Sequence, residues 1–338
     1  MTAIAFPEPK ADVLARRAFL IDGLSRLVPP ASLITAEDER RPFETDAFTA
    51  YKRLPMIVVL PETTEQVSAV LKFCGENGVP VVPRGAGTSL CGGSTPQEDA
   101  VVIGVSKMNR VLDVSYPDRT MRVQAGITNL GISAHVGGDG FFYAPDPSSQ
   151  LACSIGGNIA MNSGGAHCLK YGVTTNNLMG VRMVLLDGAV VDLGGDAMDA
   201  PGYDLVGLVC GSEGQLGIIT EATIRILPLA EGARPVLFGF DTPEDAGACV
   251  AAIIGAGIVP VAMEYMDKEA IDICEAYAKA GYPLDVAALL IIEVEGSDAE
   301  MDSALARIVA IAKQHKVKLL WGTDFLFMPA QNVKQNSD

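Results

Sequence analysis

Apolar residues in the first hundred positions alternate between continuous runs and helical spacings. Residues 56–60 are a continuous apolar run, typical of a strand buried on both faces. The apolar residues within 67–74 recur at i, i+3, i+4 and i+7, which predicts a helix capped near Thr63 and ended by Gly78. Residues 79–82 are the next predicted strand, so this β-α-β start predicts parallel strand pairing with a right-handed crossover.

The rest of the chain predicts two regions of different pattern. Ahead of the first predicted strand at 56–60, residues 11–28 predict one amphipathic helix and residues 31–54 an irregular segment. Up to residue 227 we predict strands at 101–105, 111–114, 121–125, 141–143, 180–186, 189–193 and 218–227 and a helix at 129–136, with Asp187-Gly188 as a hairpin turn. Residues 228–235 are interpreted as an interdomain linker. A compact α+β segment then follows, with strands at 236–240, 259–265, 287–294 and 317–321 and helices at 243–254, 267–280 and 298–314.

Composition narrows the class of protein. With 338 residues, 49% of them hydrophobic and 20% charged, the chain is long and apolar enough for two well-buried domains. A net charge of −16 argues against a nucleic-acid partner. Seven cysteines without C-x-x-C pairs predict neither a zinc site nor a disulfide framework, so we expect reduced thiols in a cytoplasmic protein and no metal site.

Two features could suggest export or a membrane, but each fits an ordinary globular domain. Arg16-Arg17 resembles the start of a twin-arginine signal, but Asp22 and Arg26 interrupt the apolar stretch that should follow. Residues 246–263 are uncharged, yet their glycines and Pro260 predict a buried helix, a turn and a strand. No membrane span is therefore expected.

Two glycine-dense segments carry the candidate chemistry. The first covers residues 82–93, and the second comprises 144–149, 154–158 and 162–165. Arg84 is the only Lys or Arg between residues 77 and 100, and there is none between 143 and 169. If these segments bind a diphosphate, backbone N–H groups must supply most of the positive potential, and glycine lets consecutive amides converge on an anion.

A dinucleotide site is not the simplest role for glycine-dense segments. Glycines can serve tight turns alone, although two such segments beside apolar runs favour a ligand. The G-x-x-x-x-G-K-[ST] pattern of phosphate-binding NTPase loops does not occur. Neither segment is a G-x-G-x-x-G between a strand and a helix, which weakens a third hypothesis, a nicotinamide dehydrogenase.

Five ordered motifs carry a family resemblance that runs from about Glu44 to Trp321. They are Pro83-Arg84-Gly85-Ala86-Gly87-Thr88, Pro145-Asp146-Pro147-Ser148-Ser149, Ser154-Ile155-Gly156-Gly157-Asn158, His167-Cys168-Leu169-Lys170-Tyr171-Gly172 and Gly211-Ser212-Glu213-Gly214-Gln215-Leu216-Gly217. In these the chain resembles the FAD-linked 2-hydroxy-acid oxidoreductases of the vanillyl-alcohol oxidase/p-cresol methylhydroxylase superfamily, and most closely the FAD-binding subunits of bacterial glycolate oxidases.

The resemblance implies an α+β fold of two domains. It implies a p-cresol methylhydroxylase-type FAD-binding domain, made of two α/β subdomains, followed by an incomplete α+β substrate-cap domain. The expected bounds are an N-terminal helical segment at 1–43, the FAD-binding domain at 44–229, a truncated cap domain at 230–321 and an atypical tail at 322–338.

The resemblance also implies which residues bind FAD. They are Arg84, Gly85, Ala86, Gly87, Thr88, Ser89 and Leu90 at the diphosphate; Asp146, Ser148 and Ser149 beside the flavin and ribityl chain; Gly156, Gly157 and Asn158 close over the cofactor; Asn162, Gly164, Gly165, His167 and Tyr171 along the isoalloxazine; and Glu213, Gly217 and Ile218 toward the adenosine or pyrophosphate.

The sequence also leads to expectations about how FAD is attached and about which side chains take part in catalysis. The first segment lacks the histidine through which some relatives attach FAD, so we expect non-covalent FAD and a small buried apolar role for Cys91. We expect His167 to contact flavin or make a structural hydrogen bond, not to act as general base. No catalytic residue is assigned.

The implied function is oxidation of a 2-hydroxy acid of the glycolate or D-lactate type to the 2-oxo acid. The implied partners are this small acid and the flavin or iron–sulfur subunits of a glycolate oxidase complex, through which a cytoplasmic chain could be peripheral at the inner membrane. The family's C-terminal histidine cluster, which binds metal and supplies the base, does not occur in this sequence. The alternative is therefore a catalytically impaired FAD-binding or assembly module.

Overall fold

A computed structural model of the chain describes residues 6–196, 202–322 and 325–329. These residues form two compact units. The first unit comprises Met1–Gly165 and Val173–Leu227, and the second comprises Ala166–Gly172 and Pro228–Asp338.

The first unit contains most of the short elements. Its strands are β1 Leu33–Ile34, β2 Ile57–Val59, β3 Val81–Arg84, β4 Val101–Gly104, β5 Val111–Ser115, β6 Thr120–Gln124, β7 Phe141–Phe142, β8 Leu178–Val184, β9 Val190–Gly194 and β10 Ile218–Arg225. Its α-helices are α1 Ala11–Ala15, α2 Arg17–Ser25, α3 Glu37–Arg40, α4 Thr64–Glu76, α5 Asn129–Val136, α6 Ile155–Met161 and α8 Leu205–Val209, and its 3₁₀ helices are Pro30–Ser32, Arg41–Phe43, Gly137–Asp139 and Thr174–Asn177.

Two sheets share one apolar core in this unit. The first sheet has the order β1-β2-β4-β3, with β4 parallel to both β2 and β3. The second is antiparallel, with the order β5-β6-β10-β8-β9. Helix α4 buries its predicted apolar face and begins at the Thr63 cap, whose side chain accepts from the Gln66 amide. At the start of α4, the buried Thr64 hydroxyl lies 2.9 Å from that of Thr220 on β10.

The β-α-β prediction gives the parallel direction of the two strands correctly, but it is wrong that they pair with each other. β2 and β3 are parallel, but they do not pair with each other because β4 lies between them. The helix predicted at 11–28 is two helices, α1 and α2, separated at Arg16. The hairpin at Asp187-Gly188 is confirmed, since β8 and β9 pair antiparallel across it.

The second unit is one antiparallel sheet with helices. Its helices are α7 Cys168–Tyr171, α9 Pro243–Gly255, α10 Lys268–Ala278 and α11 Asp298–Gln314, and its strands are β12 Gly232–Phe240, β13 Ala262–Asp267, β14 Ala288–Gly296, β15 Leu319–Gly322 and β16 Phe325–Pro329. The short strand β11 Leu227–Pro228 lies at the boundary. The sheet order is β13-β14-β12-β15-β16.

Alternation along β14 explains how this sheet is covered. Leu290, Ile292 and Val294 are buried on one face, in the core to which α9 and α11 contribute. Glu293 and Glu295 take the alternate positions, so both belong to the opposite face.

One boundary differs from prediction. The linker predicted at 228–235 is shorter, because β12 already begins at Gly232 and pairs with β14 through Pro235. Of the predicted tail at 322–338, residue 322 and β16 are described, and the remainder lies outside the described residues. No helix among the described residues has the length and apolarity needed to cross a bilayer.

Candidate cofactor site

A cavity of about 330 Å³ opens in the first unit. That volume falls at the lower end of the roughly 300–1,000 Å³ of small-molecule and cofactor pockets. Its lining includes fourteen of the predicted FAD residues, namely Arg84, Gly85, Ala86, Gly87, Thr88, Ser89, Leu90, Ser149, Gly156, Gly157, Asn158, Glu213, Gly217 and Ile218. The structure therefore brings residues from four of the five motifs around one space.

Residues 85–90 follow β3 and line this cavity. Within the described chain, none of their amide N–H groups donates a hydrogen bond to another residue. The segment is held by its carbonyls instead, since Arg84 accepts from Val105 at 3.0 Å and Ser89 from Ala47 at 3.0 Å. We call this run of six N–H groups without an acceptor among the described residues the anion cradle.

The Arg84 side chain supports this cradle from beneath. Its guanidinium donates to the carbonyl oxygens of Thr45 at 2.7 Å and Pro42 at 3.2 Å, and it is only 9% exposed. Burial lowers the pKa of this guanidinium. Gly87, at φ +72°, lies so close that a Cβ there would be 2.2 Å from Arg84 Nη2. The loop's one cation therefore stabilises the backbone that a ligand would contact.

Part of the second glycine segment is helical, because residues 155–158 lie in α6. Ser154 caps α6, and buried Ile155 and Ile159 give that helix its apolar side. The amide of Ile155 donates to Ile127 at 3.0 Å, and that of Gly156 donates to Ala125 at 2.8 Å. The amide of Gly157 donates to Ser154 Oγ at 3.4 Å. The N–H groups at 155–157 are therefore used within the protein, unlike those at 85–90.

A third segment, residues 211–218, closes the cavity beyond α6. Its amides at Gly211 and Glu213 donate to the carbonyls of Ile159 and Ala160, both at 2.8 Å. Gly214 approaches Pro83, where an added Cβ would be 2.8 Å from Cγ. These bonds fix the segment to the helix that lines the opposite part of the cavity.

The remaining predicted residues lie outside the cavity lining. Asp146, Ser148, Asn162, Gly164 and Gly165 belong to the first unit, where Gly165 packs directly on Asp146 and Asn162 ends α6 at φ +48°.

His167 and Tyr171 belong to the second unit, on the segment Ala166–Gly172. There the Tyr171 hydroxyl and Lys170 Nζ, at 2.7 Å, contact the same Glu295 oxygen. His167 Nε2 lies 3.6 Å from Glu293 Oε2. The sheet face of β14 thus anchors this segment.

Several lining residues were not predicted. Cys91 lines the cavity and is exposed, so the expectation of a buried apolar role is wrong. Ser154 and Gly214 also line it. Ser154 precedes buried Ile155 and is followed three residues later by the Gly157 amide that it caps, which is a signal available from the sequence.

A second cavity, of about 350 Å³, shares Gly85, Ala86 and Ser154 with the first. Its lining also includes Ser106, Asn109 and Thr128. Two cavities that share the start of the anion cradle fit a ligand with bulky groups on both sides of a diphosphate. The buried Asn158 side chain in the first cavity also retains an unpaired Nδ2, so the residues present fit FAD.

The cavity and two family models together define an FAD-binding protein. Residues 55–194 match the family model described as FAD binding domain, and residues 230–331 match that described as FAD linked oxidases, C-terminal domain. The chain belongs to the FAD-linked oxidase family. The predicted family, FAD as cofactor and the α+β fold are confirmed.

Curated relatives place the chain within this family. It is 44% identical over 292 residues to glycolate oxidase subunit GlcD of Escherichia coli (strain K12), covering 86% of this chain and 58% of the relative. It is 37% identical to a D-lactate dehydrogenase of Archaeoglobus fulgidus, covering 75% of this chain and 57% of the relative. The chain thus spans less than two thirds of the length of these relatives.

Solved structures show the same fold at low identity. An alkyldihydroxyacetonephosphate synthase matches with a TM-score of 0.80 at 22% identity, covering 98% of this chain and 63% of that chain. A p-cresol methylhydroxylase with bound substrate matches with a TM-score of 0.76 at 16% identity, covering 94% of this chain and 67% of the other.

Proposed function

We propose that the chain binds FAD non-covalently through the twenty-one predicted residues and forms the flavin-binding part of an enzyme that oxidises a 2-hydroxy acid, of the glycolate or D-lactate type, to the 2-oxo acid. The observation that carries the proposal is the row of unpaired amides at 85–90 in the first cavity, of which Gly85 and Ala86 also line the second. The similarity to a glycolate oxidase subunit and a D-lactate dehydrogenase supports the substrate class.

FAD, when bound, supplies a two-electron acceptor for substrate hydride. The chain's own contribution is to hold the anionic diphosphate by backbone N–H groups at a site that Arg84 supports from below. Because no lysine contributes, the shape of the backbone at this site positions the cofactor as well as its charge does.

The proposed partners follow from the GlcD relative, which is named as a subunit. We propose a glycolate oxidase-like complex in which further flavin or iron–sulfur subunits accept the electrons. A cytoplasmic location, peripheral at the inner membrane through those subunits, belongs to the same proposal.

The visible spectrum of the purified protein tests the proposal. We expect flavin absorbance that acid denaturation releases into the supernatant, as non-covalent binding requires. Anaerobic glycolate or D-lactate should bleach the flavin, whereas succinate, which has no hydroxyl group, should not. Bound flavin that neither hydroxy acid reduces would favour the FAD-binding or assembly module, and a folded protein that takes up no FAD would refute the proposal.

A further inference from the structure

One short segment, residues 42–48, binds both ends of the anion cradle, and we call it the strap. At one end, the Thr45 carbonyl accepts a hydrogen bond from the Arg84 guanidinium at 2.7 Å. At the other end, the Ala47 amide donates to the Ser89 carbonyl at 3.0 Å. The backbone of the strap therefore holds the cradle at two points, before and after its run of unpaired N–H groups.

Asp46 lies between these two contacts and is buried. It is only 4% exposed, and it lines neither of the two cavities. Its Oδ1 accepts from the backbone N–H of Phe48 at 2.9 Å. A bond of this kind, from an Asp side chain to the amide two residues on, closes a turn. Asp46 thus fixes the backbone conformation of the strap between Thr45 and Ala47.

The charge of Asp46 acts on the same structure. Its Oδ2 is buried and has no hydrogen-bond partner among the described residues, which costs free energy for a carboxylate. Burial lowers the pKa of the Arg84 guanidinium, and the negative charge of Asp46 acts in the opposite direction. Asp46 therefore stabilises the buried cation that donates to the strap.

We propose that Asp46 is a positioning residue for the diphosphate of the bound dinucleotide, which it orients through the strap without contacting it. Its carboxylate closes the turn whose neighbours hold Arg84 and Ser89, so the N–H groups at 85–90 are ordered before the anion arrives. Ordering a binding loop in advance lowers the entropy that binding must cost. This inference rests on the proposed function and adds a residue outside the cavity lining to those that determine FAD affinity.

Asp46→Ala separates positioning from a purely structural role. Calorimetric titration well below the Tm should show a Kd for FAD about tenfold higher, the effect of one lost hydrogen bond. ADP, which carries the diphosphate without flavin, should weaken by a similar factor, whereas riboflavin, which has no diphosphate, should bind as before.

Two further variants divide the contribution of Asp46. Asp46→Asn closes the same turn without the charge, so it should bind FAD at least about threefold more tightly than Asp46→Ala. Asp46→Ser closes the turn more weakly and should be intermediate. It replaces the alanine variant in the titrations if that variant does not fold.

Asp99→Ala is the matched control. Asp99 is also buried, at 1% exposure, with Oδ2 accepting from the Lys10 backbone N–H at 3.0 Å. Its Oδ1, like Oδ2 of Asp46, has no hydrogen-bond partner among the described residues, and it lines neither cavity. Both alanine variants should lower the Tm of the ligand-free protein, but Asp99→Ala should leave the Kd for FAD and for ADP unchanged.

Two results would overturn the inference. If Asp46→Ala lowers the Tm as Asp99→Ala does and leaves ADP binding unchanged, Asp46 is only structural. If Asp46→Asn binds FAD as weakly as Asp46→Ala, the turn does not determine affinity. A wild-type chain that binds neither FAD nor ADP would remove the proposed function itself, which is a different result.

Discussion

Gly85 and Gly157 lie against each other where the anion cradle meets α6. A Cβ at Gly85 would be 2.4 Å from Ser154 Oγ and 3.4 Å from Gly157 Cα. The same Ser154 oxygen caps α6 by accepting from Gly157. Close backbone approach at this point sets the distance between the two walls of the cavity, so glycine is required there for space.

Gly85→Ala should disturb both walls at once. We expect the added methyl group to displace Ser154, weaken the α6 cap and lower stability by about 1–3 kcal/mol, the usual cost of overpacking. FAD content after purification should fall as well. Gly93→Ala is the control, because Gly93 also lines the cavity and an added Cβ there meets nothing within 4 Å. Thermal unfolding and flavin absorbance check both variants; equal losses in the two would contradict a requirement for space at Gly85.

Arg84→Lys should not preserve the cradle. The guanidinium donates in two directions, to Thr45 and Pro42, and a lysine ammonium cannot reproduce that planar fork. We expect a loss of about 1–3 kcal/mol in stability and weaker FAD binding, although the charge is retained. Arg53→Lys, at a side chain that is 40% exposed, should change neither. Calorimetric titration with FAD measures the effect, and full binding by Arg84→Lys would argue that charge alone matters.

Local chemistry accounts for what the sequence predicted well. The Asp187-Gly188 turn closes its hairpin through neighbouring residues, and Gly188 takes φ +87° as such a turn demands. Thr63 caps α4 by a bond to Gln66, three residues away. These features need no information from distant parts of the chain.

Long-range contacts account for what the sequence did not predict. Insertion of β4 between β2 and β3 depends on residues more than 40 positions apart in the chain, between Ile57 and Val101. The membership of Ala166–Gly172 in the second unit depends on Glu295, over a hundred positions away. The unpaired Nδ2 of Asn158 can be recognised only once every neighbour is placed.

Glu295→Ala should release the segment Ala166–Gly172 from its sheet. Lys170 and Tyr171 both contact the Glu295 carboxylate, whose side chain is 11% exposed. Removing a shared, largely buried acceptor leaves both donors unsatisfied. We expect amide hydrogen exchange in this segment to accelerate by about tenfold, the change that about 1.4 kcal/mol of local opening free energy produces. Glu264→Ala, at an exposed position on β13, should leave exchange there unchanged.

Alkaline pH should destabilise the first unit partly through Cys74. Burial raises the pKa of this core thiol to about 12. The pKa of Cys74 in the folded protein lies above that in the unfolded chain, which is about 8.5. The stability that the neutral thiol contributes is therefore complete below about pH 8.5 and is lost as the pH rises toward 12. Urea unfolding at pH 8 and pH 10.5 should show a smaller decrease in Cys74→Ala than in wild type. The exposed Cys274→Ala should match wild type.

Thiol labelling should report FAD binding at Cys91. Cys91 and Cys274 are both exposed, but only Cys91 lines the cavity. Buried thiols such as Cys74 and Cys249 should react slowly, so these two exposed cysteines dominate the fast reaction with a small disulfide reagent. Saturating FAD should slow the labelling of Cys91 by at least about tenfold, because FAD then covers this thiol for more than about 90% of the time. Cys274 should keep its rate, and peptide mass spectrometry assigns each cysteine. Equal protection of both cysteines would indicate a global change in stability, whereas no protection of Cys91 would show that the cofactor does not bind beside this residue.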